Sequence, residues 1–165
     1  MKRRHRLSGL SASAILVSFL AIIPAAAQSP SLVLSLGGKV KMPLHLTLDD
    51  LKKMPPVHED AAYETERGSV KGSYTGVLLW SLIAKAGGID DAARGAAVRY
   101  AIRITATDGY IVVISTGEID PDFGDRAALV AYARDGKPLK DFRVVMPGDK
   151  KGGRNIHDVV TITVE

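Results

Sequence analysis

Cysteine is absent from all 165 residues. Its absence excludes disulfides, thiolate nucleophiles, iron–sulfur ligation and thiolate-held metals. Histidine is scarce. Beyond the basic start only His45, His58 and His157 remain, none at the i, i+3 or i, i+4 spacing that sets two ligands on one helical face. No G-x-S-x-G elbow occurs, so a serine hydrolase lacks its nucleophile turn. "GDKKGGR", Gly148 to Arg154, lacks the G-x-x-x-x-G-K-[ST] spacing of a nucleotide-binding loop. Internal repeats, low-complexity tracts and interdomain linkers are missing as well.

Long apolar runs are also lacking. The cleanest, about Ala14 to Ile23, falls well short of the ~20 residues a spanning helix needs. It follows the basic "MKRRHR" and precedes "PAAAQ", with small residues at Ala25 and Ala27, which is the pattern of a secretory signal peptide. We expect residues 1–27 to be a cleaved signal peptide and 28–165 to be one domain, periplasmic or secreted, with no membrane association after cleavage. The charge follows suit. Removing Lys2, Arg3, Arg4 and Arg6 from the 22 basic residues leaves 18, against 18 acidic ones. The basic isoelectric point therefore belongs to the precursor and does not indicate nucleic-acid binding.

What remains is rich in extended patterns. "SLVLSLGGKVKMPLHL" reads as two short strands around Gly37-Gly38. "TLDDLKKMPP" predicts a short helix, with Thr47 and Asp50 at N-cap and N3 spacing and Pro55-Pro56 as its stop. "VHEDAAYETERGSVKGS" reads as a strand ending in a long loop. "YTGVLLWSLIAKAGG" predicts a helix with an apolar stripe from Val77 to Ala86 and a glycine cap at Gly87 or Gly88. "VRYAIRITATDGYIVVIS" predicts a hairpin with a type I′ turn at Asp108-Gly109, and Asp135-Gly136 repeats the device. "TGEIDPDFGDR" is a helical turn and loop, and "RNIHDVVTITVE" alternates as a final strand. Strands outnumber helices, which makes the class α+β, with helices covering a mixed sheet.

The acidic clusters favour bland readings. "HED" at His58–Asp60 reads as a solvated loop. "DPDFGD" at Asp120–Asp125 places its glycine one residue early for an EF-hand loop and lacks the closing glutamate. Asp49-Asp50 and Asp90-Asp91 stand at expected helix starts, where the dipole favours negative charge. The stretch "VVMPGDKKGGRNIHDVV", Val144 to Val160, allows two readings. As a strand, turn and strand it is a solvated hairpin tip. Alternatively, its lysines, glycines and arginine form an anion cradle of backbone N–H groups and long cations.

Five blocks in order, "LTLDDLKKMP", "YTGVLLWSLIAKAG", "TDGYIVVIS", "LVAYARDGKPL" and "FRVVMPGDKKGGRNIHDVVTITV", resemble the molybdopterin-binding domain of the sulfite oxidase family. The resemblance covers about Leu46 to Val164. It implies a sulfite-oxidase-type fold, molybdopterin as cofactor and an oxidoreductase-like role. It also implies that Arg143, Gly152, Gly153, Arg154 and the basic position at His157 hold the anionic pterin, with Lys150 and Lys151 adding charge at the rim. The family's molybdenum ligand is a cysteine, and the matching segment Glu64–Arg67 reads "ETER". Independent redox activity is therefore not expected and no metal site is assigned; catalysis would require a molybdenum ligand other than thiolate or a partner chain supplying one, with a partner redox protein as a candidate. The expected ligand is an anionic small molecule. The competing expectation is a non-catalytic ligand-binding or interaction module that keeps the fold and binds no molybdenum cofactor.

Overall fold

The computed structural model describes residues 32–165; the expected signal peptide at 1–27 lies outside the described residues. Nine strands form two sheets. The first contains β1 (Val33–Gly38), β2 (Leu44–Thr47), β5 (Ala101–Ala106), β6 (Ile111–Ser115) and β9 (Val159–Val164), in the order β2-β1-β9-β5-β6. The second contains β3 (Val57–Thr65), β4 (Gly68–Leu78), β7 (Leu129–Arg134) and β8 (Lys137–Val145), in sequence order. All pairings are antiparallel except β1 with β9. Three short helices, α1 (Leu48–Lys52), α2 (Leu79–Lys85) and α3 (Thr116–Ile119), complete a mixed α+β fold that is mostly sheet. None of the described helices is long and apolar enough to cross a membrane.

Strand alternation produces the core. Leu34, Leu36, Ile102, Ile104, Ile162 and Val164 project from the first sheet, and Val77, Val130, Phe142 and Val144 meet them from the second. Leu79, Leu82 and Ile83 of α2 and Leu51 of α1 close the same cluster. A smaller cluster of Ala61, Tyr63, Tyr74, Leu129, Ala131 and Val145 comes from the second sheet alone. Gly76 permits the tightest approach there: a Cβ at this position would lie 2.2 Å from the Val130 carbonyl oxygen.

Several local expectations hold. Thr47 caps α1, accepting the Asp50 N–H while Asp50 accepts the Thr47 N–H, and Gly87 and Gly88 adopt left-handed φ after α2. Others need correction. The stretch from Val57, expected to be a strand ending in a long loop, begins as the strand β3, but the loop part is a second strand, β4, paired with it from Val57–Gly76 to Thr65–Gly68. Scattered glycines and charges obscured it because one of its faces is solvent-exposed. The expected helix begins at Leu79, since Tyr74–Leu78 are needed to pair with β7. Asp135-Gly136 has the two positive φ values of a type I′ turn, whereas in Asp108-Gly109 only the glycine does. The Asp108 side chain instead accepts the Tyr110 N–H.

Candidate functional site

Residues 144–160 form neither a hairpin nor its tip. β8 ends at Val145 in one sheet and β9 begins at Val159 in the other, so residues 146–158 are a crossover between sheets. The crossover is anchored to three neighbours. The Glu64 N–H donates to the Lys150 carbonyl at 3.0 Å, Val144 and Ile156 exchange backbone bonds of 2.9 and 3.0 Å, and the Tyr110 hydroxyl donates to the Gly153 carbonyl at 2.9 Å. Gly152 lets the chain lie on the Tyr63 ring, because a Cβ there would meet the ring at 3.0 Å. Asn155 pins the start of the crossover by accepting the Met146 N–H at 2.9 Å.

Between the crossover, the β3–β4 turn and the β5–β6 turn lies a cleft of about 820 Å³. Tyr63, Tyr110, Val70 and Ile156 supply its apolar and aromatic wall. Arg67, Arg134, Arg143 and Lys151 line it with positive charge, opposed by Glu64, Glu66 and Asp108. Arg143 alternates with the buried Phe142 and Val144 along β8, so it projects from the opposite face, into the cleft that Tyr63 also lines. Its Nε is buried with no acceptor among the described residues. A buried donor left unpaired costs on the order of 1–3 kcal/mol, which an anionic ligand would recover. Arg134 is more tightly held: it stacks over the Tyr74 ring at 5.6 Å, donates to the Lys71 carbonyl at 2.6 Å and has Asp135 at 3.3 Å. The Asp135 contact has the distance of an ion pair but not hydrogen-bond alignment, so the Arg134 Nε also lacks an acceptor. Burial, helped by the Tyr74 hydroxyl 3.5 Å away, pushes the Tyr63 phenol up to about 12. Tyr63 is therefore a neutral hydrogen-bonding group at physiological pH.

Of the residues singled out in the sequence, Arg143, Lys151, Gly152, Gly153 and His157 come together around this cleft. Lys150 and Arg154 are not among its lining residues. Arg154 does not share the groove because acids have claimed it. It binds Asp149 through Nε at 2.8 Å and Nη2 at 2.6 Å, and Glu118 through Nη1 at 3.0 Å. Arg126 bridges the same two carboxylates at 2.9 and 2.8 Å. These bonds, Asp149 foremost, raise the Arg154 guanidinium above its ordinary value. Arg154 thus ties the crossover to α3. Local sequence could not reveal this, since Glu118 is distant in the chain and its approach depends on the fold.

Sequence reasoning missed Arg134, Asn155, Tyr63 and Tyr110. Arg134 carried a usable signal, as a charged residue where β7 approaches a tight turn. The others required tertiary contacts. Asp141, His157 and Asp158 place donor atoms within 4.8 Å of one another, but these groups already bond among themselves. Asp158 donates its N–H to Asp141 at 2.7 Å, and its carboxylate meets the His157 Nδ1 at 2.6 Å. His58 is a strand residue, with Nδ1 3.0 Å from the Thr75 hydroxyl.

No protein-family model and no curated protein matches the chain. Among solved structures, the sulfane dehydrogenase SoxCD from Paracoccus pantotrophus has a similar fold. The TM-score is 0.67 at 20% sequence identity, over 81% of this chain and 38% of the SoxCD chain. The present chain thus corresponds to well under half of that neighbour's length.

Proposed function

We propose that the chain is an exported module with the sulfite-oxidase-type molybdopterin-binding fold, and that its cleft binds an anionic small molecule, with a phosphate-bearing pterin as the leading candidate. The observation that carries this reading is Arg143, a guanidinium in the cleft wall whose buried Nε has no acceptor among the described residues. Guanidinium is suited to bidentate contact with phosphate or carboxylate, and the aromatic wall of Tyr63 and Tyr110 suits a planar ring. The fold likeness to SoxCD and the ordered sequence blocks support the same reading.

The residues fit one part of the implied cofactor and not another. An anionic pterin fits the unpartnered Arg143. A thiolate-held molybdenum does not fit, because the chain has no cysteine. The segment expected to supply the ligand forms the β3–β4 turn, where Glu64 accepts the Ser69 hydroxyl and Thr65 closes the turn on the Gly68 carbonyl. Carboxylates are hard donors and a poor substitute for a soft sulfur. The module is accordingly a ligand-binding one without redox turnover of its own; any electron transfer would require a partner protein.

The test is equilibrium titration of the mature chain with a pterin phosphate. Arg143→Ala should weaken binding by about 1.5–3 kcal/mol, the range for hydrogen bonds to charged groups. Equal affinity in the wild type and the variant would overturn the assignment. Intact mass of the exported protein should correspond to a chain beginning at Gln28.

A further inference from the structure

Three buried side-chain nitrogens have no hydrogen-bond acceptor among the described residues: Nε of Arg134, which has only the misaligned Asp135 carboxylate at 3.3 Å, Nε of Arg143 and Nδ2 of Asn155. All three residues line the same cleft. Each nitrogen is a donor and none is an acceptor, and no buried side-chain oxygen among the described residues is left unpaired. The buried side-chain atoms that the cleft leaves unpaired are therefore all donors.

Asn155 fixes the sense of this pattern. A free amide could turn end for end and present its oxygen instead. Here the Oδ1 accepts the Met146 N–H at 2.9 Å, and a turned amide would set its NH2 against that N–H. The NH2 is thus the end left over for a ligand. The cleft's carboxylates, on Glu64, Glu66 and Asp108, belong to exposed residues at the rim, where water satisfies them.

Building on the anion-binding reading above, we infer that the cleft selects oxoanions whose bound oxygens carry no proton, with Asn155 as a specificity-determining residue. Sulfate, a sulfonate and a phosphate monoester above its second pKa, near ~6, share this chemistry. An anion presenting a hydroxyl to these buried nitrogens would set O–H against N–H, leaving both hydrogens without an acceptor there. Such discrimination follows from unpaired donors rather than from charge alone.

Calorimetric titration of the mature chain with sodium sulfate and with glycerol phosphate, at pH 7.5 and pH 5.0, tests this. Sulfate keeps its charge over that range, so any change in its affinity reports the protein's own groups, His157 and the rim acids included. The ratio of monoester to sulfate affinity isolates the ligand's proton. It should fall about tenfold at pH 5.0, as the dianionic fraction does for a second pKa near 6. Asn155→Asp keeps an acceptor for the Met146 N–H while removing the donor, and should weaken sulfate binding more than tenfold. Thr65→Asp, which adds the same charge at the rim, should weaken it less. A ratio independent of pH, or sulfate binding by Asn155→Asp equal to that of Thr65→Asp, overturns the inference and leaves the anion cleft standing. Failure of the wild type to bind either anion overturns both.

Discussion

Two arginines in the same stretch of sequence have opposite roles. Arg143 lacks a partner for its buried Nε, and Arg154 is enclosed by two carboxylates. Arg154→Ala should therefore act on stability and not on ligand affinity. The network is about one-third exposed at Arg154, so screening reduces the value of each pair. A loss of about 1–2 kcal/mol is expected, since the buried faces of Asp149 and Glu118 would keep only Arg126. Urea denaturation of the variant checks the first half, and anion titration of the folded variant checks the second. The sequence reading placed both arginines at one anion groove, and only the positions of Asp149 and Glu118 separate them.

At the scale of elements, α1 shows how much a local signal can achieve. Its capping box was legible because Thr47 and Asp50 are three residues apart and need no tertiary help. Thr47→Ala should cost about 1 kcal/mol by thermal or chemical denaturation. The pH dependence has a definite sign. The Thr47 hydroxyl, then its N–H, then Lys53 lower the Asp50 carboxyl from 3.8 to about 2. A depressed carboxylate stabilises above its unfolded value and loses that contribution as pH falls through the folded one. The stability gap between wild type and Thr47→Ala should therefore narrow between about pH 4 and pH 2. The β3–β4 hairpin is the opposite case. Its alternation is legible only once β7 lies against β4, and Gly76 owes its identity to the Val130 carbonyl across that pair. Gly76→Ala should lower the melting temperature sharply, because the obstacle is backbone and cannot rotate away.

At the scale of the whole molecule, the last strand is the key to assembly. β9 lies at the centre of its sheet, parallel to β1 on one side and antiparallel to β5 on the other, with Val159, Ile162 and Val164 fully buried. The sheet therefore cannot close until the C-terminus is available. Removing residues 159–165 should give a chain without a cooperative unfolding transition, rapidly cut by protease under conditions where the full chain is resistant. The same topology makes the cleft: because β8 and β9 belong to different sheets, the 146–158 crossover must bridge them, and it carries Lys151 to His157 to the β3–β4 and β5–β6 turns.

The sequence by itself determined the α+β class, most strand positions, the α1 cap, the glycine stop after α2 and the absence of any thiolate chemistry. These depend on alternation, on short-range spacing or on composition, none of which requires knowing the neighbours. Only the tertiary structure decided that the basic loop is a crossover, that Arg154 is spent on Asp149 and Glu118, and that Arg134 and Asn155 join Arg143 around one cleft. The reason is physical. Whether a cation is available to a ligand depends on which carboxylates the fold brings near it, and whether an amide reads acceptors depends on which backbone N–H holds its oxygen.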